Sequence, residues 1–365
     1  GGSAAGAAAG ASTDVRFATY NVLSSSLCEP DYFTACTPEN LDPSNRLPRV
    51  FKQLEGEITQ NAVICLQEVS REWAGPMHSF FESKGYHLVL SLYGGPRNDY
   101  MGVGIAYPTQ KFTSDKINIK RLSDAFRHPR FPPEPAARRV LRAIASGVRT
   151  LLRRKAPRKR TMALDWGDSR RRSNTMIYAT LKEKDTGVQF GIATYHMPCA
   201  FYAPRVMVLH SAMAATRTAS LADDLPFVLT GDFNLKPGDE TYKLLTEGQL
   251  PADPNAAFTP ALPENVQMKP FWTAIPKRMK SAYKEVLGQE PEFTNFAVTR
   301  GSDPFIETLD YIFLSPEIEA LDVRPLPPKA DAVGPYPTEK EPSDHAMIAA
   351  TLRIPKASFT MKNDA

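Results

Sequence analysis

Short apolar runs recur along this chain, and each meets an acid, an amide or a histidine at one end. Val15 to Leu23 alternates apolar and polar positions, the period of a half-buried strand, and delivers Asn21. Ala62 to Leu66 is continuously apolar, reads as a buried strand and ends in Gln67-Glu68. Gly191 to Tyr195 leads to His196, and Leu229-Thr230-Gly231 leads to Asp232-Phe233-Asn234. Asp310 opens the run Tyr311 to Leu314, while Asp344-His345 precede a final strand from Ala346. Between these runs, Arg49 to Gln60, Trp73 to Lys84 and Arg205 to Ala219 carry a helical period, so helices layered over sheet are expected.

One such polar strand end means little, because strand ends are solvated and Gly-Asp-Phe-Asn also spells an ordinary turn. Six in one chain are a stronger signal. Asp232 and Asn234 lie two residues apart, which on a continuing strand places both on one face, where they can hold a phosphate, a water or a metal.

At 365 residues with 42% apolar residues, the chain can bury a large core, and motifs running from end to end favour one domain over two. Cys28, Cys36, Cys65 and Cys199 show no Cys-x-x-Cys spacing, which argues against a disulfide framework or zinc site. That usage fits a reducing, intracellular compartment, cytoplasmic or mitochondrial. Residues 1–13, rich in Gly, Ala and Ser, read as a flexible tail, and residues 358–365 as another.

Charge changes the picture more. Residues 125–172 hold 15 Lys or Arg against three acids, a surplus of 12, whereas the whole chain carries +4, leaving about −8 on the remainder. This looks like a basic insert in an acidic body. Its middle, Ala136 to Leu152, sets Leu141, Ile144, Val148 and Leu151 near one helical face among arginines. It suits contact with RNA phosphates, a partner protein or a membrane surface, or plain solvation as a loop. Aromatic residues hardly interleave its arginines, so base stacking there is not expected. Nothing in the sequence sets an oligomeric state.

The ordered set Asn21, Gln67-Glu68, His196, Gly231-Asp232-Phe233-Asn234, Leu309-Asp310-Tyr311 and Ser343-Asp344-His345 resembles the endonuclease/exonuclease/phosphatase superfamily. The likeness runs from about Val15 to Pro355. Thr19 to Ser24, Asn45 to Arg49, Ile64 to Val69, Ser281-Ala282-Tyr283, Phe293 to Phe296 and Ile306 to Ile312 look like its deadenylase-type branch. That branch holds the carbon catabolite repressor deadenylases, nocturnin, the Angel proteins and the 2′-phosphodiesterases. The chain lacks the Trp-Cys-Asp-Arg signature of inositol polyphosphate 5-phosphatases and the Asn-Val-Asp-Gly-Leu-Arg opening of abasic-site endonucleases.

The resemblance implies a four-layer α/β sandwich like deoxyribonuclease I. Two packed, mainly antiparallel sheets would be flanked by helices over residues 14–357, with the site at the strand ends. It implies Mg²⁺, or Mn²⁺, held by Glu68 with Asn21 in support and Asp344 as a further ligand. Asp232 would orient or deprotonate the attacking water, His345 would contact the scissile phosphate, Asp310 would fix the His345 ring, and His196 would add a phosphate contact. Asn21 and Asn234 would touch substrate. Where the family often writes Asn-Thr-His, this chain has Thr194-Tyr195-His196, so the Thr194 hydroxyl would replace an amide toward the phosphate.

Three function classes follow. The first is a Mg²⁺-dependent 3′-exoribonuclease or poly(A) deadenylase. The second is a phosphatase or phosphodiesterase on NADP(H) or 2′,5′-oligoadenylate. The third is a non-catalytic RNA- or complex-binding protein, disfavoured because every expected acid and histidine is present.

Overall fold

The computed structural model describes residues 11–94, 99–131, 137, 161–251, 257–264 and 266–357. In chain order, β1 (Ser12–Asn21) is followed by a short helix α1 (Pro38–Leu41), the long α2 (Pro43–Ile58), β2 (Val63–Gln67) and α3 (Arg71–Ser83). Three strands come next, β3 (Tyr86–Tyr93), β4 (Met101–Pro108) and β5 (Phe112–Arg121), then α4 (Met162–Arg171), β6 (Thr175–Glu183) and β7 (Gln189–Tyr195). Helix α5 (Pro204–Ala222), β8 (Phe227–Asp232), α6 (Glu240–Glu247), β9 (Lys280–Ser281) and α7 (Ala282–Leu287) follow. A small hairpin β10 (Asn295–Ala297) and β11 (Phe305–Glu307) precedes β12 (Asp310–Leu314), β13 (Glu319–Val323) and β14 (Ile348–Pro355).

The strands form two six-stranded sheets, ordered β13-β14-β1-β2-β4-β3 and β5-β6-β7-β8-β12-β9, with the hairpin apart. Only β1–β2 and β7–β8 pair in parallel within these sheets; the other pairings are antiparallel. The period of two along each strand explains the layering. On β7, Phe190 and Ile192 enter the core between the sheets, while Ala193 and Tyr195 face the helical layer with α5. On β1, Val15 and Phe17 enter the same middle core, while Ala18 and Tyr20 pack with Val50 and Leu54 of α2 and Met77 and Phe81 of α3. Helix, sheet, sheet, helix is therefore the order of the layers. Among the described residues no helix is long and apolar enough to cross a membrane.

Two sequence boundaries move. Ser12 and Thr13, expected in a tail, belong to β1, where they pair with Pro355 and Ile354 of β14; extending the ladder satisfies their backbone groups. The segment 125–172 is not all insert. Its end forms α4, whose Trp166 is buried edge-on to Trp272 at 5.1 Å, in the core that holds α5, and donates Nε1–H to Ala261 O at 3.0 Å, while Asp165 pairs with Arg205 at 3.0 Å. An aromatic ring needing burial outweighs the run's basic character. The amphipathic middle proposed from residues 136–152 lies outside the described residues, apart from residue 137.

Helix α5 buries a histidine. His210 accepts from Tyr195 Oη at Nδ1 (2.7 Å) and donates from Nε2 to Ser169 O (3.1 Å), which fixes a neutral tautomer. Burial lowers its pKa to about 3. An unfolded histidine takes its proton near pH ~6.5, so the stability is complete above that pH and is lost as pH falls toward 3. Each pH unit in that window costs about 1.4 kcal/mol. Urea unfolding between pH 7 and pH 4.5 should show a shallower acid decline for His210→Gln than for the parent; parallel pH curves would refute a neutral buried imidazole.

Candidate active site

The alternation that fills the middle core also builds the site. On β8, Val228, Thr230 and Asp232 share the inter-sheet face; on β12, Asp310 shares it with Ile312 and Leu314. On β1 it carries Phe17, Thr19 and Asn21, and on β2 Val63, Cys65 and Gln67. At the ends of these strands the apolar core gives way to a polar rung: Gln67 Nε2 donates to Oγ1 of Thr19 (2.9 Å) and of Thr194 (3.0 Å). One layer further out stand the acids.

Glu68 follows β2 with φ 62°, a left-handed backbone that a non-glycine residue adopts at a cost of about 1–3 kcal/mol. The turn swings its carboxylate over β1, where Oε1 accepts from Asn21 Nδ2 (3.0 Å) and Oε2 from Ser24 N (3.1 Å). Asn21 Nδ2 also donates to Asp232 Oδ2 at 3.0 Å, joining the two carboxylates across the sheets. Asp232 Oδ1 accepts from Asn234 N at 2.9 Å. Asn234 lies past the strand with φ 48°, so Asp232 and Asn234 are brought together by a turn rather than by a shared strand face. The Asn234 amide donates to Met197 O at 3.0 Å and lines the cleft.

Two histidines flank Asp232. His196 Nε2 lies 3.5 Å from Asp232 Oδ2 and 3.9 Å from Glu68 Oε1, with Nδ1 against Tyr93 Oη at 3.2 Å. His345 donates Nδ1–H to Asp310 Oδ2 at 2.7 Å, which turns Nε2 toward Asp232 Oδ2 at 3.6 Å. Thr294 Oγ1 donates to the same Asp310 oxygen at 2.6 Å, and among the described residues Asp310 Oδ1 has no partner. Burial works against a charged His345 ring, yet Asp310, Asp344 and Asp232 outweigh it and hold the ring protonated well above the usual histidine range. Burial also pushes the Asp232 carboxyl up to about 6, against the pull of His345 and His196. A carboxylate poised there suits a general base near neutral pH.

Glu68, His196 and Asp232 each offer a ligand atom within 4.8 Å of the others, as do Asp232, Asp310 and His345. Two carboxylate oxygens at the mouth of a buried cluster match the hard-oxygen preference of Mg²⁺, so this donor set fits a divalent cation. Three expectations change. Asn21 is fully buried with Oδ1 accepting from Leu23 N, so it orients Glu68 and Asp232 instead of reaching the cleft. Thr194 is fully buried in the polar rung, so its hydroxyl does not face a phosphate. Asp344 lines the cleft but lies outside both clusters and accepts from Asn295 Nδ2 at 3.2 Å.

Residues without an assigned role from sequence complete the arrangement. Asn174, just before β6, donates Nδ2 to His196 O at 2.8 Å and lines the cleft beside Tyr93. Arg46 of α2 is fully buried over Trp73; its Nη2 reaches Val22 O and Leu23 O at 2.5 and 2.7 Å, and its Nε reaches Pro342 O at 2.6 Å. It thereby ties the loop after β1 to the loop that carries Asp344 and His345. Asn45 to Arg49 is conspicuous in the sequence, but nothing there signals that the arginine points inward.

Residues 18–345 match the Endonuclease/Exonuclease/phosphatase family. The chain belongs to that family. The curated proteins that it resembles carry names expected of the deadenylase-type branch. Carbon catabolite repressor protein 4 homolog 4 of Arabidopsis thaliana is 38% identical over 131 residues, 35% of this chain and 27% of that protein. Human 2′,5′-phosphodiesterase 12 is 23% identical over 361 residues, 93% of this chain and 51% of that protein. The chain thus spans about half, or less, of these relatives' lengths. Among solved structures, ANGEL2, a 2′,3′-cyclic phosphatase, in complex with adenosine-2′,3′-vanadate shares the fold with a TM-score of 0.69 at 23% identity, covering 94% of this chain and 96% of that one. The human Nocturnin catalytic domain with bound sulfate does so at 0.58 and 17%, covering 95% and 94%. The two mixed sheets with flanking helices are the α/β sandwich expected of the Endonuclease/Exonuclease/phosphatase family.

Proposed function

We propose that this chain is a divalent-metal-dependent phosphodiesterase that removes nucleotides from the 3′ end of RNA, poly(A) above all. The observation that carries this reading is the cleft above the acids and histidines, about 1280 Å³ in volume and lined by Tyr32, Phe201 and Phe305. Small-molecule pockets run to roughly 1,000 Å³; this one has room for more than a mononucleotide. The rings are 37–46% exposed, surfaces on which bases can stack.

Glu68 would hold Mg²⁺, which would neutralise phosphate charge and favour a reactive water at neutral pH, and His196 would add a phosphate contact. Asp232 orients the attacking water and takes its proton as the P–O3′ bond breaks, and the departing 3′ oxygen is protonated from solvent water. The free amide hydrogen of Asn234 holds a phosphate oxygen. The His345 imidazolium donates from Nε2 to the scissile phosphate as charge builds there, while Asp310 keeps the ring turned.

A second reading, cleavage of 2′,5′-oligoadenylate, is favoured by the likeness to 2′,5′-phosphodiesterase 12 over nearly the whole chain. Side-by-side turnover with Mg²⁺ on poly(A), mixed-sequence RNA, 2′,5′-oligoadenylate and NADP(H) separates them. Poly(A) should be degraded fastest from its 3′ end, and EDTA should abolish it. Faster turnover of 2′,5′-oligoadenylate would install the second reading, and NADP(H) alone would overturn both.

A further inference from the structure

Two arginines stand on opposite sides of the strand ends that carry His196 and Asp232. In the sheet order β6-β7-β8-β12, Arg172 lies just ahead of β6, and Arg300 sits in the β10–β11 hairpin that leads into β12. Both line the cleft. Each is held by a tyrosine and by its own backbone. Arg172 Nη2 donates to Tyr202 Oη at 2.7 Å, and its carbonyl accepts from Arg121 Nε at 2.9 Å. Arg300 lays its guanidinium 5.2 Å over the Tyr32 ring, and its N–H donates to Tyr32 O at 2.7 Å, with φ 49°. Among the described residues neither guanidinium pairs with a carboxylate, although the cleft also contains Glu29, Asp31 and Asp303.

An arginine oriented by an aromatic partner keeps its remaining N–H fork for an anion, and phosphate oxygens fit that fork bidentately. Arginines alternating with exposed tyrosines form the surface that single-stranded nucleic acid takes. The floor between them is built for a phosphodiester, on the reading above. We propose that Arg172 and Arg300 each bind a phosphate of the RNA chain other than the scissile one. The substrate is then a chain lying across the strand ends between β6 and β12, with further phosphates besides the cleaved one. An isolated mononucleotide or a dinucleotide with one phosphate engages neither contact.

This inference rests on the phosphodiesterase reading, and the test separates the two. Fluorescence anisotropy of 5′-fluorescein-labelled octaadenylate, with EDTA to stop hydrolysis, is measured from 50 to 300 mM KCl for the parent, Arg172→Ala, Arg300→Ala and the double variant. Each single variant should weaken binding about tenfold and lower the slope of log K against log salt by about 0.7, with the double variant losing both. Arg172→Lys and Arg300→Lys, which keep the charge, should recover most of the slope. Thermal melts matching the parent show that the variants fold. Unchanged slopes, loss confined to one arginine, or no parental binding of the octamer would overturn the two-sided clamp. A parent that binds the octamer with the expected slopes but hydrolyses no phosphodiester would overturn the phosphodiesterase reading and leave the clamp.

Discussion

Asp232→Asn should lower kcat on poly(A) by about a thousandfold or more, roughly 4 kcal/mol of barrier, while KM changes by less than about threefold. The carboxylate is buried, tied by Asn21 Nδ2 and Asn234 N, and pushed up to about 6. An asparagine keeps its size and one acceptor but cannot take a proton. Loss of an interaction made mainly in the transition state falls on kcat rather than on binding. Steady-state kinetics with saturating Mg²⁺ measure the division; a variant with parental kcat would remove Asp232 from water activation.

Gly231→Ala should cost at least about 4 kcal/mol of stability, a loss that marks backbone collision rather than ordinary surface change. A Cβ at Gly231 would collide with Tyr195 O, and its φ of 141° is one that side chains rarely adopt. Tyr195 ends β7 and Gly231 lies in β8, so relief would push apart the two strands that deliver His196 and Asp232. Thermal unfolding by far-UV circular dichroism gives the answer. A melting temperature within about 2 °C of the parent would show that the strands yield easily.

Much of this site is legible in sequence because a strand that buries both faces accommodates clustered polar residues most readily at its end. Asn21, Glu68, His196, Asp232 and Asp310 stand at or next to such ends, His345 lies three residues ahead of β14, and helices α2, α3 and α5 arise where the helical period places them. What stays hidden is depth. Thr194 shares its strand face with Ile192, which the sequence shows, but that this face is closed by a second sheet does not follow from the strand itself. The same closure turns Asn21 from a contact into a support. Asn174 and Arg172 escape for the opposite reason: they sit in a basic run beside a strand, and only Trp166 in that run hints that it packs. Tyr93 and Thr294 act through a histidine and an aspartate distant in sequence, a relation that no local pattern records.

The β10–β11 hairpin has a second attachment. Asn295 bridges to His345, Phe296 N donates to Asp344 O, and Ala346 N donates to Thr294 O, so the wall of the cleft is laced by backbone to the segment carrying the imidazole. At its other end Arg300 N and Gly301 N hold Tyr32 O and Thr34 Oγ1. On the function proposed above, a strand of substrate pressing on this wall would press on His345 as well. Recognition and chemistry would then share one lever, and a substrate too short to reach the wall would forgo its help in setting the ring.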